Sequence, residues 1–99
     1  MAFLNVQNEI IGIETIHTGT VDQSTVYPRK IIERTLYHNA VALILMHNHP
    51  GGSFKPSKSD IEITNSIIAT ATNMDIEIYD HIIIGREDYF SFRDSGLLF

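Results

Sequence analysis

The chain has 99 residues, 43 % of them hydrophobic, no cysteine, and a formal net charge of −5. That is a single domain (1–99) with enough apolar side chain for one core, which argues against disorder, and it has neither a disulfide frame nor a thiolate metal site. The acidic balance, with seven scattered Lys and Arg, argues against this domain alone binding nucleic acid, and no apolar stretch nears the ~20 residues of a membrane span.

Phe3-Leu4-Asn5-Val6 predicts a first strand, and Gln7-Asn8 a turn in which asparagine tolerates the conformation. Glu9 to Thr18 alternates imperfectly, with Ile11, Ile13 and Ile16 apolar, and predicts the second arm of a hairpin. His17 has no partner at metal spacing and reads as a surface histidine. Residues 19–25 form a polar loop expected to border a cleft. Tyr27-Pro28 opens a helix, since proline is tolerated at the first helical position. Ile31, Ile32, Thr35 and Leu36 are its apolar stripe, and Arg29, Lys30, Glu33 and Arg34 its wet face. Asn39 suits its C-terminal turn, and His38 reads as surface.

Val41 to Met46 is apolar on both faces, which predicts a central strand covered by helices. It runs into His47-Asn48-His49. On extended chain residues i and i+2 project to one side, so both imidazoles can aim at one point. Pro50-Gly51-Gly52 stops the strand. Ser57 then reads as the N-cap of a helix with Asp60 in its first turn. Taken alone, Ser57-Lys58-Ser59-Asp60 is a capping box with aspartate for the usual glutamate. Taken with the two histidines, Asp60 becomes a third ligand. Two His and a carboxylate, with a fourth position for water, make up a catalytic zinc site. One acid can serve both roles, because a helix N-terminus favours a carboxylate without fixing which oxygen is used.

The helix from Ser57 to about Asn73 carries Ile61, Thr64, Ile67, Ile68, Ala71 and Met74 at helical spacing, with Met74 as core filler. Asp75 to Gly85 predicts a strand. Within it Asp80-His81 is a polar pair, read either as a buried histidine satisfied by a neighbour or as support that orients a metal ligand. Arg86-Glu87-Asp88 turns the chain into a last strand, Tyr89 to Phe92, and residues 93–99 dock as a tail. The order β-β-α-β-α-β-β predicts a compact α/β fold with a mixed sheet and two main helices. The chain start lacks the basic-then-apolar pattern of a secretory leader, so the cytoplasm is the expected compartment.

His-x-His-Pro, then Ser-x-x-Asp, resembles the JAMM motif of the JAB1/MPN metalloprotease superfamily. Gly19-Thr20, Tyr27-Pro28-Arg29, Asn39-Ala40, His47 to Gly52, Pro56-Ser57, Asp60 and Asp80-His81 resemble its RadC family, from about Phe3 to Leu98. The resemblance implies a JAB/MPN fold, related in form to deaminase-like sheets. It implies zinc on His47, His49 and Asp60, a metal-bound water as nucleophile, and Ser57 beside it holding the tetrahedral intermediate. It also implies a general-base glutamate before the first strand. That position falls before Met1, and neither Glu9 nor Glu14 aligns with it, so the expectation is metal binding with impaired turnover, at ~10²–10⁴ in rate for a lost general base.

The primary expectation is therefore a zinc hydrolase of peptide or isopeptide bonds. The alternative is a non-catalytic metal-binding or interaction module associated with DNA metabolism, a link the family's name carries. An exposed sheet edge would favour a homodimer. A nuclease is disfavoured, because the nuclease class named for His-Asn-His spreads those residues across its motif, and because the charge is acidic.

Overall fold

Two asparagines and an aspartate mark where the chain turns. A computed structural model describes residues 1–15, 28–49 and 55–98. In it Asn8, Asn39 and Asp75 have φ of 61°, 54° and 58°, the left-handed region these side chains tolerate best after glycine. Asn8 closes the hairpin between β1 (Ala2–Leu4) and β2 (Ile10–Ile13), where the Asn5 side-chain oxygen accepts from the amides of Gln7 and Glu9. Asn39 ends α1 (Pro28–Tyr37) and turns the chain into β3 (Ala42–Asn48). Asp75 follows α2 (Lys58–Asn73) and leads into β4 (Glu77–Ile84). The chain finishes with β5 (Tyr89–Ser91) and a four-residue helix, α3 (Phe92–Ser95), which takes Phe92 from the expected strand and runs into the expected tail.

The five strands form one sheet in the order β2-β1-β3-β4-β5. β3 and β4 run parallel through α2, and the other neighbours are antiparallel. This is the expected mixed α/β architecture, with β3 at the centre. A parallel sheet places the carboxyl ends of β3 and β4 side by side, and open α/β sheets commonly bind ligands there.

One apolar cluster joins Phe3, Leu43, Leu45 and Ile78 of the sheet to Ile31 and Ile32 of α1 and Ile67 and Ala71 of α2. Burying each such side chain stabilises by roughly 1.5–3 kcal/mol. Both helices therefore cover the Leu43–Leu45 side of β3. The other side carries Ala42, Ile44 and Met46, of which Met46 is exposed, so among the described residues helices cover one face rather than two.

Four local readings change. Leu36 is exposed and Thr35 fully buried, because Thr35 donates its hydroxyl to the Ile31 carbonyl and needs no water. Met74 is exposed, because it caps α2 one residue past the last turn. His38 stacks on Phe3, with centroids 4.3 Å apart, and its Nε2 meets the Glu14 carboxylate. Arg34 leaves the wet face to make two 2.8 Å bonds to the same carboxylate. These contacts fix α1 against the hairpin, and a Cβ on Gly12 would come within 2.9 Å of the His38 ring. His17, the 19–25 loop and the Pro50-Gly51-Gly52 break lie outside the described residues.

Candidate metal centre

β3 ends in the two histidines, and α2 begins with the acid. Ser57 is the N-cap of α2, with extended backbone (φ −81°, ψ 168°). The Asp60 amide donates to Ser57 Oγ at 3.0 Å, and the Ser57 amide donates to Asp60 Oδ2 at 2.7 Å. The capping box is thus complete, with aspartate at its third position. It rotates the carboxylate into the space before the helix, where the imidazoles lie.

One ligand atom from each of His47, His49 and Asp60 lies within 4.8 Å of the other two. His49 Nε2 is 3.0 Å from Asp60 Oδ2, and His47 Nε2 is 3.3 Å from Asp60 Oδ1. Two donors on one tetrahedral zinc at 2.0–2.1 Å sit about 3.3 Å apart, which the two histidine–carboxylate spacings already match, while the set as a whole, within 4.8 Å, would draw together around an ion. The two carboxylate oxygens differ. Oδ2 is held by the Ser57 amide and His49. Oδ1 is buried and has no hydrogen-bond partner among the described residues, although His47 Nε2 is near, because that approach is not aligned as a hydrogen bond. A buried carboxylate oxygen without a donor is costly, and a cation between it and the imidazole would satisfy it. These residues fit a divalent ion with nitrogen and oxygen ligands.

The electrostatics agree. Burial alone would raise the Asp60 pKa, but the Ser57 amide and hydroxyl and the two imidazoles outweigh it and hold the carboxyl below its ordinary value. Burial lowers the His47 pKa, Asp60 opposes that, and His49 adds to it. His47 is therefore biased toward the neutral ring that a metal requires.

Behind His47 lies His81, buried and stacked on Phe92 at 4.6 Å. Its Nε2 is 3.0 Å from His47 Nδ1, and its Nδ1 is 2.6 Å from Thr64 Oγ1. Burial, then the neighbouring His47, pushes its pKa down to about 4. An irregularity in β4 puts it there. Leu43 pairs with Ile78 but Ile44 pairs with Asp80, so Tyr79 is an extra residue in the strand. A regular strand would set Asp80 beside Leu45, whereas the extra residue sets His81 there and turns Asp80 to the opposite face. Asp80 is itself fully engaged, accepting from the amides of His81 and Arg93 and the hydroxyl of Ser91.

The structure brings together the three expected ligands and places Ser57 at their edge. Both readings of Asp60 hold at once, cap and candidate ligand. His81 is a buried, satisfied histidine and also touches a ligand. Thr64 escaped notice as one more member of an apolar stripe. The signal that could have found it is its i+4 spacing from Asp60 on one face of α2.

A mixed five-stranded sheet with a His-x-His strand end facing an acid on the next helix defines a JAB-type domain. The family model described as a RadC-like JAB domain matches residues 1–97, and the chain belongs to that family. Among its relatives, the UPF0758 protein YeeS of Escherichia coli K12 is 47% identical over 96 residues, covering 97% of this chain and 65% of YeeS. The UPF0758 protein YfjY of the same organism is 42% identical over 98 residues, covering 99% of this chain and 61% of YfjY. A UPF0758 protein of Actinobacillus succinogenes is 48% identical over 96 residues and is covered over 44% of its length. The chain thus spans 44–65% of the length of these three relatives. Among the described residues, no helix is long and apolar enough to cross a membrane.

Proposed function

We propose that this domain binds one zinc ion through His47 Nε2, His49 Nε2 and Asp60 Oδ1 and serves as the metal centre of a hydrolase acting on peptide or isopeptide bonds. The observation that carries the reading is the buried Asp60 Oδ1, without a hydrogen bond among the described residues and 3.3 Å from an imidazole nitrogen. Bound zinc supplies Lewis acidity, which acidifies water and polarises a carbonyl.

The chain's own residues set the rest. Asp60 is held by the Ser57 amide, so its free oxygen is oriented before any ion arrives. Ser57 Oγ accepts from the Asp60 amide, and its own proton, which in this state lies toward the Asp60 carboxylate, can turn to donate toward an oxyanion forming at the helix start. Glu9 accepts from the Asn5 side chain, and Glu14 is bound by Arg34 and His38. Neither is arranged as a general base. That engagement favours one second reading, a metal-binding or interaction module in DNA metabolism that performs no hydrolysis.

The test is zinc stoichiometry on metal-free protein, with His47→Ala and His49→Ala beside it, followed by hydrolysis of peptide and Nε-lysyl isopeptide substrates. One zinc per chain, lost in both variants, supports the site. Turnover then separates the hydrolase from the module. Wild-type protein that takes up no stoichiometric zinc refutes the hydrolase and the metal-binding form of the module.

A further inference from the structure

The contacts behind His47 form a chain with a direction. Thr64 Oγ1 lies 2.7 Å from the Asp60 carbonyl and 2.6 Å from His81 Nδ1, and His81 Nε2 lies 3.0 Å from His47 Nδ1. A hydroxyl has one proton. The Asp60 carbonyl can only accept, so at 2.7 Å Thr64 donates to it. Thr64 must then accept from His81 Nδ1–H. A neutral imidazole with its proton on Nδ1 is an acceptor at Nε2, so His81 accepts from His47 Nδ1–H. His47 then carries its proton on Nδ1 and its lone pair on Nε2, the nitrogen that faces Asp60.

The opposite direction fails at Thr64. Thr64 would donate to His81, His81 would donate to His47, and His47 would carry a proton on Nε2. That direction would leave two oxygens, Thr64 Oγ1 and the Asp60 carbonyl, 2.7 Å apart with no proton between them. The geometry favours the first direction.

We infer that Thr64 and His81 are positioning residues that hold His47 in the Nδ1–H tautomer, so that its Nε2 lone pair is presented to a metal ion without a proton shift. The inference rests on the proposed metal site. It assigns a role to a threonine whose hydroxyl would otherwise merely satisfy its own helix. Groups that orient a metal-bound histidine typically change affinity by 10–100-fold when removed.

The experiment uses metal-free, 15N-labelled protein at neutral pH and reads the ring tautomers by long-range 1H–15N correlation. Zinc affinity by chelator competition is measured in parallel. Wild-type protein is expected to show His81 and His47 both protonated at Nδ1. Thr64→Val removes the acceptor with almost no change of shape. It is expected to shift His47 toward the Nε2–H form and to weaken zinc binding by about 10–100-fold, with little loss of fold by circular dichroism. His81→Gln, whose carbonyl can accept from His47 while its amide donates to Thr64, is expected to stay within a few-fold of wild type. His81→Leu is expected to fall with Thr64→Val. A wild-type spectrum with His47 protonated at Nε2, or a Thr64→Val affinity within twofold of wild type, overturns the inference. A wild-type chain that binds no zinc defeats the metal reading instead, and the tautomers still decide the relay.

Discussion

Asp80 is the buried group whose loss should hurt most outside the apolar core. Its carboxylate accepts from the His81 amide at 2.7 Å, the Ser91 hydroxyl at 2.6 Å and the Arg93 amide at 3.0 Å. Those three donors belong to β4, to the last residue of β5 and to α3, so one side chain ties the sheet edge to the terminal helix. Asp80→Ala removes the acceptor and leaves two backbone donors that cannot rotate to find another. A hydrogen bond to a charged group is worth ~1.5–3 kcal/mol, and two such losses give ~3–6 kcal/mol. At ~4–8 °C per kcal/mol for a domain of this size, the melting temperature should fall by ~12–48 °C. Asp80→Asn keeps Oδ1, which serves both amides, while the Ser91 hydroxyl can turn to accept from the new amide. It should cost ~1–1.5 kcal/mol, the value of one ordinary hydrogen bond. Urea denaturation of the metal-free proteins measures both. An Asp80→Ala variant within 1 kcal/mol of wild type, or an Asp80→Asn variant as unstable as Asp80→Ala, would refute the reasoning.

Glu14, which Arg34 and then His38 hold down at about 2 from an ordinary 4.5, should make its contribution fully above pH 4.5 and lose it as the pH falls toward 2. Urea midpoints of wild type and Glu14→Gln should therefore converge across that interval, and a constant gap would contradict the assignment. Ser57→Ala removes the acceptor of the Asp60 amide and should cost ~1 kcal/mol as a lost N-cap. It should leave zinc stoichiometry intact while lowering kcat of any hydrolysis by ~10²–10³. Equal kcat would reduce Ser57 to a cap. Ile10, Ile11 and Ile13 are exposed on β2, the last strand of its sheet edge among the described residues. Ile13→Lys should lower self-association in light scattering at high concentration, and an unchanged distribution would argue against pairing through that strand.

The candidate ligands were legible because each rests on a local rule. An i, i+2 pair on extended chain faces one way, and a serine three residues before an acid caps a helix whatever the rest of the chain does. The mixed sheet followed from element order, since β3 and β4 are joined by a helix and so lie parallel, whereas the place of β1 between β2 and β3 did not. What stayed hidden depends on long-range contact or on a one-residue slip. Phe3 and His38 meet only once α1 lies across the hairpin. Thr64 looked like stripe filler, because nothing in its spacing reveals a histidine seventeen residues on. The extra residue at Tyr79 left no trace, because Ile76, Ile78, Ile82, Ile83 and Ile84 are apolar at both parities and a shift of frame changes no pattern.

That surplus residue has a consequence for how the domain can vary. The identity of Tyr79 matters little to the ligands, since its ring faces the Arg93 guanidinium at 4.3 Å, away from them. The count of residues between Ile78 and Ile82 matters a great deal. Remove one, and the imidazole supporting His47 trades sides with a carboxylate whose charge would then press on the ligand. This short interval is thus a ruler: substitutions along it are tolerable, whereas a change of length exchanges the group that stands behind His47.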